Sequence, residues 1–173
     1  FLVGLLGKPQ KIQRIIRGTF EIHLSEIQNF HHLIEQRINQ QNEGKLLQFR
    51  ATIVFNDSSS VELNSFSELE TYNEIRPIIS TAVELSWDYL ILFQDKKTPE
   101  KQTITINIHT DQEYVDDDDM PMYVSMSNSA GLFRIEIYHT ARTWAADMEA
   151  MLMNHINSLL TKPDKLRKFI KKS

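Results

Sequence analysis

The sequence contains no cysteine, which removes disulfide staples, thiolate zinc sites and cysteine nucleophiles from consideration and fits a reducing, cytoplasmic setting. Glycine is scarce, at five residues. The phosphate-binding loop, the dinucleotide fingerprint, the nucleophile elbow and the zinc-protease motif all need glycine, lysine or histidine spacings that are absent. Apolar runs are short as well: Tyr89 to Phe93 is far below the roughly 20 residues that span a bilayer. The first residues, Phe1 to Gly7, are apolar but lack the basic start and cleavage pattern of a signal peptide. They read as the boundary of a piece cut from a longer protein.

What is present is the balance of a folded domain. Of 173 residues, 41% are hydrophobic and 24% charged, so the chain can bury a core without staples. Residues 1–161 are expected to form a single domain. Residues 162–173 are expected to be a basic tail leading to a further segment, with six bases against one acid. The net charge of −4 hides an asymmetry, because residues 51–120 carry 15 acids against 4 bases while both flanks are slightly positive. Either the chain neutralises itself on folding or it shows an acidic face to a basic partner.

The hydrophobic pattern predicts an α+β fold: a mainly antiparallel sheet of about six strands in three hairpins, with amphipathic helices packed on one face. Lys8-Pro9 would open a short helix ended by Gly18. Ile27, Phe30, Leu33, Ile34 and Ile38 recur at helical spacing from Ser25 to a stop at Asn42 and Gly44. Leu47 to Phe55 and Val61 to Leu63 form the first expected hairpin. Ser65 or Ser67 then caps a short helix that runs to Tyr72. Val83 to Phe93 and Thr103 to His109 make the second hairpin, turned at Asp95 to Lys101. An acidic loop from Thr110 to Asp119 leads to the third, Met122 to Met126 against Phe133 to Ile137, turned at Asn128-Ser-Ala-Gly131. A helix from about Arg142 to Leu160 closes the chain, with Trp144, Met148, Leu152 and Ile156 on one side.

Several groups could carry chemistry. The segment from His139 to Asp147 places polar, cationic and aromatic residues at a helix N-terminus, where backbone N–H groups favour anions. His139, Arg142, Thr143 and Trp144 are its candidate ligand-binding residues; the rival reading makes Thr140 or Thr143 a plain cap and Trp144 a core residue. His109 and His139 each end a strand, in register with its inward residues and at a sheet margin. If they approached each other, they could form an acid–base or phosphodiester site with Asp111 or Arg142. His31 and Glu35, four apart on a helix, have metal-ligand spacing but no third ligand. Asp116 to Asp119 lacks the glycine of a calcium loop and reads as solvated. No metal and no cofactor are expected.

The chain therefore reads as a sensor or interaction domain of a larger protein, one that binds a protein partner or small ligand rather than catalysing. The basic stretch 162–172 suggests that it works beside a membrane, on the cytoplasmic face. The acidic middle argues against nucleic acid. The competing reading is a phosphodiesterase-like or metal-assisted hydrolase using His109, His139, Arg142 and the carboxylates of 111–119. A third is a homo-oligomeric scaffold joined through Met148, Met151, Met153 and His155.

Overall fold

A computed structural model describes residues 9–74, 80–110 and 125–161, with side chains left undescribed over 125–129. Six strands form one sheet: β1 (Gln10–His23), β2 (Glu43–Phe55), β3 (Ser60–Leu63), β4 (Ser80–Leu92), β5 (Glu100–Thr110) and β6 (Ser125–His139). Among the described residues there are three helices: α1 (Leu24–Gln41), α2 (Phe66–Thr71) and, after the last strand, α3 (Arg142–Leu159). The strand order is β1-β6-β5-β4-β2-β3, and every pairing is antiparallel.

The long helices form where apolar residues return at helical spacing. Ile27, Phe30, Ile34 and Ile38 are the buried stripe of α1; Trp144, Ala145, Met148, Leu152 and Ile156 are that of α3. Both stripes belong to one apolar cluster with Phe49, Ala51, Ile53 and Phe55 of β2, Val83 to Ile91 of β4, and the inward isoleucines of β5 and β6. Side chains at the opposite strand positions form a polar outer face, as expected of an antiparallel sheet with one side toward water. Exposed ion pairs cross it, Lys11–Glu136 at 3.6 Å and Arg50–Glu62 at 3.2 Å. Such pairs add little stability, so the apolar face carries the fold. The short α2 begins where the Ser65 hydroxyl accepts the Glu68 N–H at 3.1 Å, while the Glu68 carboxylate accepts the Asn64 N–H at 2.8 Å.

Two elements differ from the pattern-based expectation. Residues from Pro9 to Arg17, read as a helix, belong almost entirely to β1, the edge strand. Ile12, Ile15 and Ile16 sit at helical spacing, but β-branched residues suit a strand, and pairing along β6 decides the matter. Gly18 is not a helix stop; it faces Gly131 across that pairing.

The turn expected at Asn128 to Gly131 is likewise absent, because those residues continue β6. Phe133 to Ile137 pair with β1 on one side and β5 on the other, so the partner taken to be Met122 to Met126 is replaced by β1. Met122 and Val124 lie outside the described residues, as do the acidic run 111–119 and the tail 162–173. The first two hairpins are present: β2 pairs with β3, and β4 with β5. At the end of α3 the chain returns to the edge strand. The Thr161 N–H and hydroxyl both donate to the Thr19 carbonyl at 2.9 Å, and Leu160 bridges Phe20.

Candidate functional site

Strand β6 delivers His139 to one end of the sheet, and α3 starts three residues later. The link between them is held by Gln102, an inward-pointing residue of β5 that is wholly buried. Its carbonyl oxygen accepts the Thr140 N–H at 2.8 Å, and its amide donates to the Thr140 hydroxyl at 2.7 Å. That hydroxyl in turn donates to Glu100 at 3.2 Å. With its side chain so engaged, Thr140 does not cap α3. The N-cap is Ala141, which has no side-chain acceptor, and the first turn contains no acid. Gln102→Ala is expected to remove both bonds to Thr140, empty a fully buried side-chain site and cost about 2 kcal/mol in urea unfolding.

Around this start of α3 opens a cleft of about 720 Å³, within the usual range for small-ligand sites. Gln41 and Asn42 at the end of α1 form one wall. The β4–β5 link supplies Phe93, Gln94, Asp95 and Lys96, and the third wall is Thr140 to Trp144 with Asp147. Trp144 is 7% exposed and packs edge-on to Phe93 at 6.1 Å between ring centres. Among the described residues its indole N–H has no hydrogen-bond partner. Arg142 and Thr143 are exposed, and among the described residues Arg142 has no ion pair. Asp147 meets Arg37 of α1 at 3.5 Å through one carboxylate oxygen; the other is buried and has no partner among the described residues.

Of the four residues singled out from the sequence, the structure places Arg142, Thr143 and Trp144 in the cleft wall. His139 is not part of that wall: it is 3% exposed on the inner face, and its Nδ1 has no partner among the described residues. Burial, reinforced by the nearby Arg142 charge, lowers its pKa and keeps the ring neutral.

His109 corrects the sequence reading. Inward residues of β5 are Gln102, Ile104, Ile106 and Ile108, so His109 alternates with them and points to the outer face with Thr103, Thr105 and Asn107. It pairs with Leu132, seven residues before His139 on the adjacent strand. Seven residues of strand span about 23 Å, and the two rings point to opposite faces. A shared acid–base site needs contacts of roughly 3 Å, so these histidines do not form one.

His31 and Glu35 are both engaged in the core. Trp87 Nε1–H donates to His31 Nδ1 at 3.0 Å, and the Tyr89 hydroxyl donates to Glu35 at 2.6 Å. The ring of His31 also stacks on Phe66 at 3.9 Å. The methionine-rich stretch of α3 packs within the chain: Met148 is fully buried, Met151 and Met153 lean on the core, and His155 meets Phe30 edge-on at 4.9 Å.

Sequence reasoning missed Gln102 and two of the three cleft walls. Gln102 has a visible signal, since it is the one polar residue in the inward register Gln102, Ile104, Ile106, Ile108. A second cavity, of about 690 Å³, is lined by outer-face residues including Asp88, Lys101, Thr103 and Tyr138. There Asp88 is already taken by the Thr103 hydroxyl at 2.6 Å and by Lys101 at 3.9 Å. Comparison with protein-family models, curated proteins and solved structures finds no match to this chain.

Proposed function

We propose that this chain is a non-catalytic binding domain of a larger protein, and that its ligand or partner enters the cleft at the start of α3. The observation that carries this reading is the composition of that cleft. Three separate elements converge there, and Trp144 and Asp147 bring buried polar atoms that nothing in the described structure satisfies. Most buried polar groups in proteins are paired, so unpaired ones on residues that line a cleft suit an external partner. Binding is favoured over catalysis because the two strand-end histidines are far apart and on opposite faces. The further proposal of a cytoplasmic, membrane-proximal location rests only on the basic residues of 162–172.

The test is a fragment titration followed by amide ¹H–¹⁵N correlation spectra, using small carboxylates, phosphates, amines and neutral aromatics. Saturable shifts are expected to concentrate at Asn42, Gln94 to Lys96 and Thr140 to Asp147. Fragments that shift only the outer face, or none of these residues, would place the binding function elsewhere.

A further inference from the structure

We infer that the cleft receives an oxyanionic group, a carboxylate or phosphate, seated against the first turn of α3. This rests on the reading of the cleft as a binding site and adds the chemistry of what binds. At that end of α3 the groups looking for partners are mostly donors. The helix begins at Ala141 with no side-chain acceptor and no first-turn acid, although the opening N–H groups of any helix lack intrahelical partners and carry partial positive charge. Independently, the Trp144 indole, more than nine-tenths buried and part of the cleft wall, holds an N–H that has no acceptor among the described residues. An indole N–H can only donate.

Arg142 adds a third donor group. A cation at the first helical position opposes the helix dipole, so its placement there works against the helix unless an anion joins it. Its guanidinium is exposed, free of ion pairs among the described residues, and suited in shape to a carboxylate or phosphate. Thr143 supplies a hydroxyl beside it. Two acids also line the cleft. Asp147 is offset by Arg37 at 3.5 Å, and Asp95 stands next to Lys96 on the β4–β5 link. The second oxygen of Asp147 is a buried side-chain acceptor without a partner among the described residues, and it would take the proton of a hydrogen phosphate, which neither acetate nor sulfate offers at neutral pH.

The probes are inorganic phosphate, sulfate and acetate, titrated into the full chain at constant ionic strength set with sodium chloride. Two tryptophans give two indole N–H signals, and Trp144→Phe identifies which is which. Phosphate is expected to shift the Trp144 signal saturably and leave that of Trp87, already bonded to His31, in place. Arg142→Ala should weaken phosphate binding at least about tenfold. Thr143→Glu puts a carboxylate where the anion would sit, so it should abolish binding while holding Tm level or raising it slightly, which separates site loss from misfolding.

A stronger response to phosphate than to acetate and sulfate identifies the phosphate form of the ligand; comparable responses identify a general oxyanion site. An unmoved Trp144 signal, or an Arg142→Ala protein that titrates like the parent, overturns the inference. If tetramethylammonium shifts the cleft amides while all three anions do not, the cleft stands as a binding site and its anionic character falls.

Discussion

Gly131→Val is expected to destabilise the fold by about 3 kcal/mol, the upper end of what overpacking usually costs. Gly131 sits in β6 between Gly18 of β1 and Thr110 of β5. A Cβ there would lie 2.3 Å from the His109 carbonyl oxygen and 2.8 Å from the nearest atom of the Phe20 ring. The oxygen belongs to the backbone of a paired strand and cannot rotate away. Phe20 is fully buried and packs on Phe133 at 4.6 Å, so its ring has no empty space to enter. Either β5 and β6 separate or the aromatic pair is displaced. Urea unfolding should show a lower midpoint with an unchanged slope, the mark of lost stability without a change in the exposed surface. Gly18→Ala is the control, because its Cβ would meet only the side chain of Leu160, at 3.1 Å, and that side chain can adjust. Equal losses in the two variants would contradict the close approach at Gly131.

His31→Ala is expected to cost about 3–4 kcal/mol, combining a lost ring stack with a buried indole N–H left unpaired. The ring is 8% exposed, stacks on Phe66 and accepts the Trp87 N–H at Nδ1, so it must be neutral in the fold. Burial lowers its pKa, with the His32 charge in the same direction and Glu35 and Glu70 opposing. His139 and His155 are lowered too, both chiefly by burial.

The sign follows from proton linkage. The unfolded histidines titrate near 6.5 and the folded ones below that, so between the two values the unfolded state holds more protons. Stability from these three residues is therefore complete above about pH 6.5 and lost as the pH falls through the folded values. Thermal unfolding should show Tm falling from pH 7.5 to pH 5.0. A His31→Phe, Trp87→Phe double variant removes donor and acceptor together. It should lose less stability than His31→Ala and show a shallower decline in acid. A double variant as acid-sensitive as the parent would rule out His31 as a principal source of that sensitivity.

How much of this was legible in sequence depended on how far each element's own residues decide its shape. The helices α1 and α3 were plain because Ile27, Phe30, Ile34 and Ile38, or Trp144, Met148, Leu152 and Ile156, can share one face only in a helix. The strands β4 and β5 were equally plain, since each alternates buried and half-exposed residues over much of its length. The first half of β1 was not, because from Gln10 to Arg17 this edge strand is mostly exposed and shows no buried period of two; its isoleucines at 12, 15 and 16 imitate a helix. In β6, Asn128 to Gly131 have turn-like composition, but pairing of Ser129 to Gly131 with β1, and of Gly131 with β5, outweighs that local preference.

The cleft divides in the same way. Arg142, Thr143 and Trp144 could be found because they announce a helix start. Asn42 and Phe93 to Lys96 could not, because only the finished topology brings the end of α1 and the β4–β5 link beside α3. His109 was misplaced by a parity error of one residue, which in a strand is the difference between core and water.

The stitch between Thr161 and Thr19 has a mechanical consequence. A pull transmitted from residue 162 onward would reach the sheet at the edge of β1 before it could unwind α3. β1 is zipped along β6 from His23 to Gln10, and Gln10 stands opposite His139, at the threshold of the cleft. The end of α3 is thus tied to β1 at Thr19, and the strand that leads into its start is tied to β1 at Gln10, so a single edge strand holds both ends of that helix in place.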